Sequence, residues 1–469
     1  MSKIFLVSLG CDKNRVDGEV MVGTLRVNGF DVVNNPEEAV AIIINTCGFI
    51  SDAVQESLEM IFALAEHKKN GKCRALIIVG CMAERYKNEI AQKIPEADAF
   101  VGVGEYEKIA ELVKRILGTE KNFSASEKNF SSHEKNENEK NFSSHENSHA
   151  HEENKNEKIF PRLAARFDAE ASHIAYVKIA EGCDNHCSYC TIPSIRGAYV
   201  SRPKNEILRE CKLLVEAGAV EIIIVAQDTA LYGKDIGENL PQLLREIAAT
   251  GAKRIRLMYA YPEHITPSLI DALAKIPQMC RYIDMPIQHS EYAVLSRMGR
   301  AGGKRELEQL IRVLRDRIPG IAIRTTVMVG FPGETSDDFE NLYDFAEEMR
   351  FDRLGAFPYS REEGTRAAEM PAQIRSDVKQ KRLHKIMELQ QKIHFEKQRE
   401  YVGKILPVIV DSRDENGDYV GRTEFDAYEV DTVVNFSSQK ILRAGQICDV
   451  KIIEAFEYDL RGVFCESAE

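Results

Sequence analysis

EGCDNHCSYCTIPSIRG, residues 181–197, carries three cysteines in a CxxxCxxC spacing: Cys183, Cys187 and Cys190. It follows an apolar run, IAYVKIA from Ile174, that reads as a strand. Further strand-like runs follow at EIIIVAQ (Glu221), RIRLMYA (Arg254), RYIDMPI (Arg281), IAIRTTVMVG (Ile321) and RLGAFPY (Arg353), most of them separated by helical patterns. Six such units predict a partial (β/α)6 barrel rather than a full eight-unit one. Cysteine thiolates hold iron–sulfur clusters, and a [4Fe–4S] cube ordinarily takes four. Three ligands in one tight loop leave one iron open, and an open position lets a metal site bind a substrate. A zinc loop or three unrelated core thiols is the alternative, but zinc sites ordinarily draw four ligands from paired CxxC units.

Upstream, residues 1–118 alternate short apolar runs with amphipathic stretches: IFLVSLG from Ile4, AIIINT from Ala41, ALIIVG from Ala75. This predicts a doubly wound parallel α/β sheet. Cys11, Cys47 and Cys81 each follow one of these runs, spaced 36 and 34 residues apart. They therefore fall at the carboxyl ends of parallel strands, the edge where such sheets bind ligands. A second cluster with an open iron is one reading; three buried thiols packed as small hydrophobes is the other. Cys73, Cys211, Cys280, Cys448 and Cys465 show no ligand spacing.

Residues 119–158 repeat EKNFSSHE and hold only five apolar residues, all Phe or Ala. Such a segment cannot bury enough surface to fold alone and is expected to be a disordered linker, its four histidines solvated. A charged helical stretch from Pro371 to Glu400 places Leu383, Ile386, Leu389 and Ile393 at helical spacing, as a connecting helix packed on the barrel. Residues 402–469 alternate short strands (ILPVIVD, DYVGR, EVDTVV, QICDVKIIEAF, GVFC) with turns and predict a small antiparallel β-barrel.

The formal net charge is −12, a poor match to general phosphate binding. No apolar run approaches the ~20 residues that cross a bilayer, and no signal segment opens the chain, so a cytoplasmic protein without membrane contact is expected. Eleven cysteines in such a chain point to metal or redox use rather than disulfides.

The cysteine trios, the barrel and the small β domain, in that order, resemble the methylthiotransferase family of radical S-adenosylmethionine (SAM) enzymes over nearly the whole chain except 119–158. The resemblance implies an N-terminal methylthiotransferase domain (1–118), a radical SAM core with its connecting helix (159–401) and a TRAM domain (402–469). It implies two [4Fe–4S] clusters: an auxiliary one on Cys11, Cys47 and Cys81, and a SAM-binding one on Cys183, Cys187 and Cys190. SAM would be both methyl donor and radical source. Tyr189 matches the aromatic that usually precedes the last cysteine. Gln227, Arg324 and Gly330, on or after barrel strands, are candidate SAM contacts, with Gly333, Asp228 and Thr326 as weaker ones.

Within the family, LGCDKNRVDGE from Leu9, AQDTALYG from Ala226 and FDAYEVDTVV from Phe425 look like the RimO branch, which modifies the β-carbon of an aspartate in small-subunit ribosomal protein S-twelve, free or in the subunit. An electron donor protein is implied as well. Gly18 departs from that branch's usual VDSE. The alternative is the branch acting on transfer-RNA adenosine, which carries GCQMN-like and GQNV-like segments instead. A non-catalytic iron–sulfur or zinc protein that docks on ribosomes is a third reading. Charge bears on the choice: residues 402–469 hold seven Lys and Arg against fourteen Asp and Glu. An acidic TRAM domain would attract a basic ribosomal protein and repel phosphate, so primary RNA contact is not expected.

Overall fold

The computed structural model describes residues 1–118 and 172–466; the repeat segment and its expected disorder lie outside them. The described residues form two compact units. One holds 1–118 together with Thr191–Ala198, and the other holds the rest.

In the first unit five parallel strands, β1 (Lys3–Ser8), β2 (Asp31–Val33), β3 (Ala41–Thr46), β4 (Ala75–Gly80) and β5 (Ala99–Val101), lie in the order β2-β1-β3-β4-β5. Every residue of β3 and β4 is buried. That is why AIIINT and ALIIVG read as continuous apolar runs: helices cover both faces of a parallel sheet. Helices Asp12–Val27 and Ser51–Asn70 follow β1 and β3, and the short helix Cys81–Arg85 follows β4.

The second unit begins with β6 (Ile174–Lys178). Its strands β9 (Glu221–Val225) and β10 (Arg254–Leu257) form a parallel sheet with β6, in the order β10-β9-β6. β11 (Tyr282–Asp284), β12 (Ala322–Val329) and β13 (Arg353–Pro358) form a second, and a parallel bridge from Ile255 to Met279 joins the two. Six parallel strands thus make the partial barrel that the sequence predicts. A short antiparallel pair, β7 (Ala180–Glu181) and β8 (Val200–Ser201), flanks the cysteine loop. Ile222, Ile224, Ile255, Ile283, Ile323, Val327 and Val329 build one core with the surrounding helices. Helix Ser376–Arg399 packs on it through Ile386, Leu389 and Ile393, with Leu383 partly buried.

β14 (Ile405–Arg413), β15 (Tyr419–Arg422), β16 (Val434–Ser437), β17 (Ile447–Ala455) and β18 (Leu460–Phe464) close a small barrel in the order β14-β15-β16-β18-β17. Four pairings are antiparallel, whereas β16 and β18 run parallel. The expected strand EVDTVV is not one: pairing starts only at Val434. The stretch before it is spent on docking. Asp426 pairs with Arg353, Asp431 accepts from the Tyr282 hydroxyl at 2.7 Å, and Glu424 pairs with Arg281 at 2.6 Å. The Tyr428 carbonyl accepts from Tyr176 at 3.3 Å.

Nearly all these partners sit at the starts of barrel strands, so the small barrel closes the amino end of the large one. The best-buried contact there is Glu221, wholly buried, which bonds Arg256 at 2.7 Å and Arg422 at 3.1 Å. Burial alone would push the Glu221 carboxyl up, but the two guanidinium groups outweigh it and hold it down at about 2. Its stabilisation is therefore complete above the ordinary unfolded carboxylate range and is lost as pH falls towards 2. Glu221→Gln leaves two buried cations short of counter-charge. It is expected to cost about 3–5 kcal/mol in denaturant unfolding at neutral pH, and the deficit should shrink in acid.

Candidate functional site

The first three strands to carry a following cysteine deliver Cys11, Cys47 and Cys81 to one edge of the first unit's sheet. Cys11 is exposed, and Cys47 and Cys81 are buried. Burial pushes both buried thiols up, Cys81 to about 12, and in each case the neighbouring thiols push further. Such thiols ionise only when a cation or metal shares the charge.

Asn14, wholly buried in the first turn after Cys11, ties the three loops together. Its Nδ2 donates to the carbonyls of Leu9 and Thr46, each at 3.0 Å. Its Oδ1 lies 3.6 Å from Cys81 Sγ. Asn45 in turn donates to the Asn14 carbonyl at 2.8 Å. Arg196, from the short helix Ile192–Arg196, donates to Asn14 Oδ1 at 2.6 Å and reaches Cys81 Sγ at 3.4 Å. Neither Asn14 nor Arg196 stands out in the sequence. The only signal is an Asn three residues after a strand-end cysteine.

The loops approach so closely that side chains are excluded. A Cβ on Gly10, which has φ +86°, would lie 2.8 Å from Cys47 Cβ. A Cβ on Gly48 would lie 2.8 Å from backbone atoms of Cys81 and Met82. Because those neighbours are backbone, Gly48→Ala must displace Cys81. It is expected to lower iron bound per chain by at least half at the first unit, and to lower the melting temperature, as checked by metal analysis beside calorimetry. The departure at Gly18 also has a cause: a Cβ there would come 2.1 Å from Ser8 Oγ.

In the second unit the catalytic end lies opposite the docked small barrel, at the carboxyl ends of the strands. The loop of Cys183, Cys187 and Cys190 follows β6 and β7. It is fixed by ordinary hydrogen bonds: Ser188 N to the Met298 carbonyl at 2.8 Å, Ala367 N to the Ser188 carbonyl at 2.9 Å, and Arg366 to the His186 carbonyl at 2.6 Å. Cys183 is buried and pushed up to about 11 by burial. Cys187 Sγ lies 3.6 Å from the Tyr261 hydroxyl. The Arg300 guanidinium stacks 3.9 Å from the centre of the Tyr261 ring and pairs with Glu263 at 3.3 Å. Among the described residues no three His, Cys, Asp or Glu side chains are gathered as for a single metal ion. The three thiolates of a cube bind three different irons. The donor sets, thiolates beside fixed hydrogen-bond donors and a buried guanidinium, fit such a group in both units.

Gln227 is brought to the cysteine loop, donating to Glu181 Oε1 at 3.0 Å, while its own Oε1 is buried without a partner among the described residues. Asp228 is committed through one oxygen: its Oδ2 accepts from Asn185 at 2.8 Å and faces His264 Nδ1 at 2.6 Å, while its Oδ1 is buried without a partner among the described residues. Tyr189 packs its ring edge on Phe331. Gly330 has φ +72°, and a Cβ there would strike the Lys379 stem at 2.3 Å.

Arg324 is not at this end. It is the third residue of the eight-residue strand β12, so strand direction puts it near the amino end. There Asp284 at 2.9 Å and Asp431 at 3.4 Å hold it.

Sequence reasoning missed Gln288, His289 and Ser290, which follow β11. All three are buried, and Gln288 Oε1, His289 Nε2 and Ser290 Oγ have no partner among the described residues. Gln288 takes a left-handed φ of +68°, a strain that clusters at functional sites. The Glu291 amide donates to His289 Nδ1 at 3.0 Å. Burial lowers the imidazole to about 3, so His289 is a neutral ring with its proton on Nε2.

Known proteins share the fold and the order of the domains. Residues 3–102 match the family model described as uncharacterized protein family UPF0004, residues 177–346 the radical SAM superfamily, and residues 402–465 the TRAM domain. Membership of that superfamily implies SAM and a [4Fe–4S] cluster in the second unit. Among solved structures, the radical SAM methyltransferase TsrM from Kitasatospora setae shares the fold at TM-score 0.53 and 16% identity, covering 76% of this chain and 72% of that one. The cobalamin-dependent SAM radical enzyme OxsB shares it at TM-score 0.51 and 14% identity, covering 84% and 56%.

Curated relatives are much nearer in sequence. The ribosomal protein uS12 methylthiotransferase RimO of Desulforamulus reducens is 45% identical, covering 98% of this chain and 99% of that protein. Those of Clostridioides difficile and Geobacter sulfurreducens are 42% and 41% identical, each pair covered to 98% on both sides. Identity at this level across the full length, with all three family models in order, makes the chain a member of the RimO family of ribosomal protein uS12 methylthiotransferases.

Proposed function

We propose that this chain replaces a hydrogen on the β-carbon of an aspartate of ribosomal protein uS12 with a methylthio group, using SAM and two [4Fe–4S] clusters. The observation that supports this most is the N-terminal cysteine trio: Cys11, Cys47 and Cys81 share one sheet edge, with Asn14 tying their loops. An unactivated C–H bond gives acid–base groups no handle, so the chemistry belongs to the cofactors. When bound, the cluster on Cys183, Cys187 and Cys190 supplies the electron that cleaves SAM to a radical, and the cluster on the other trio presents the sulfur that is methylated and transferred.

The protein's residues bind and orient. Tyr261 offers its hydroxyl to Cys187 Sγ, and the stacked Arg300 keeps a positive charge beside that thiolate. Gln227, Gln288, His289 and Ser290 offer buried, unpartnered polar atoms to the polar groups of SAM. Tyr189 lines the same loop, and Gly330 turns the chain after β12. An electron donor protein would be a partner, supplying the electron once Cys183, Cys187 and Cys190 hold their cluster. The substrate is basic, and the small barrel's carboxylates attract it. Glu424, Asp426 and Asp431 are spent on barrel arginines, so the attraction comes from the remaining acidic residues, and RNA is not the primary contact.

Anaerobically reconstituted protein, incubated with uS12, a low-potential reductant and SAM labelled in its methyl group, should place label on uS12 and release 5′-deoxyadenosine with it. Release of 5′-deoxyadenosine with no label on uS12 would overturn the proposal.

A further inference from the structure

Among the described residues, Cys81 is the one thiol of the N-terminal trio with a cationic side chain at hydrogen-bond distance of its sulfur. Arg196 Nη2 lies 3.4 Å from Cys81 Sγ. The same guanidinium bonds Asn14 Oδ1 at 2.6 Å and Asp17 Oδ2 at 3.2 Å. The side chain of Arg196 is 1% exposed and that of Asp17 3%. The group is thus held in a fixed place, out of water, by two anchors that are not thiols.

We infer that Arg196 is a positioning residue that sets the reduction potential of the N-terminal cluster through its N–H···S contact with Cys81. This rests on the proposal that Cys11, Cys47 and Cys81 hold a cluster. Adding one electron makes the cluster and its thiolates more negative. A guanidinium at 3.4 Å favours that reduced form, and burial leaves little solvent to screen it. Hydrogen bonds to the ligating sulfurs are a principal control on cluster potentials, and the groups behind the ligands tune the metal. Asp17 opposes the effect by drawing off part of the guanidinium's charge. The pair therefore makes two predictions of opposite sign. Removing the cation should lower the potential, and removing the anion should raise it. A purely structural role for Arg196 would move neither in this pattern.

The test uses the full chain with Cys183, Cys187 and Cys190 all replaced by alanine, so that only the N-terminal trio can hold iron. The protein is reconstituted anaerobically and poised with a chemical reductant and mediators. The reduced cluster is followed by electron paramagnetic resonance. At the parent's midpoint, Arg196→Met should lower the ratio of reduced to oxidised cluster at least tenfold, which is 59 mV for one electron. Arg196→Lys should fall between the two, and Asp17→Asn should raise the ratio. Unchanged potentials in Arg196→Met and Asp17→Asn would overturn the inference. If Arg196→Met fails to load iron, Arg196→Lys and Asp17→Asn decide it: the predicted opposite shifts support it, and their absence overturns it. A parent that binds no iron refutes the N-terminal cluster itself, a result visible before any Arg196 variant is compared.

Discussion

Cys187→Ala is expected to reduce 5′-deoxyadenosine release to background while leaving the polypeptide folded. The loop around Cys187 keeps its shape through backbone bonds to Met298 and Ala367 and through Arg366 on the His186 carbonyl. None of these needs the thiol. Cys187 is only half-buried, so its loss should cost the metal-free protein no more than about 1 kcal/mol. What disappears is one of three ligands in a site that has no fourth cysteine to offer. Iron analysis, SAM turnover and thermal unfolding of the same sample separate these effects. Unimpaired SAM cleavage would refute the assignment of the loop.

Cys81→Ala should give a different pattern. Tyr261, Gln227 and Arg300 beside the loop of Cys183, Cys187 and Cys190, and Gln288 to Ser290 after β11, all belong to the second unit. SAM cleavage should therefore continue. Methylthiolated product should be absent, and bound iron should fall from about eight to about four per chain, one cube of four irons being lost. The cavity is small and Arg196 keeps its bonds to Asn14 and Asp17, so the stability loss should stay near 1–2 kcal/mol. A Cys81→Ala variant that still transfers the methylthio group would show that the first trio is structural. One that loses SAM cleavage would show that the two sites do not act separately.

Much of this arrangement was legible in the sequence, for definite reasons. Parallel strands buried on both faces leave unbroken apolar runs, so β3 and β4 could be read directly, and with them the strand-end positions of Cys47 and Cys81. The CxxxCxxC loop is local and its cysteines are counted off the chain. The supporting residues are not local. Arg196 meets Asn14 across 182 positions of sequence, and no spacing rule connects a short helix after the second trio to the first. Gln288 needed its left-handed backbone to be seen.

Arg324 was misplaced for a simple reason. Period-two alternation tells which face a residue takes, but where the strand begins decides which end of the barrel it reaches. FDAYEVDTVV was read as ending in a strand because β-branched residues dominate its tail. Tertiary contacts override that preference, because Asp426 and Asp431 are needed as partners for Arg353 and Arg324. That stretch therefore marks how the small barrel is attached, and substrate choice rests on the family membership and on the acidic balance of residues 402–469.

The modified substrate of this family member is a protein. A single anaerobic reaction holding the reconstituted chain, SAM, uS12 and unmodified transfer RNA in equal amounts tests it most directly, with both products read by mass spectrometry. The expected result is one methylthio group in place of hydrogen on a uS12 aspartate and unmodified adenosine in the RNA. Methylthiolated adenosine with unmodified uS12 would contradict it.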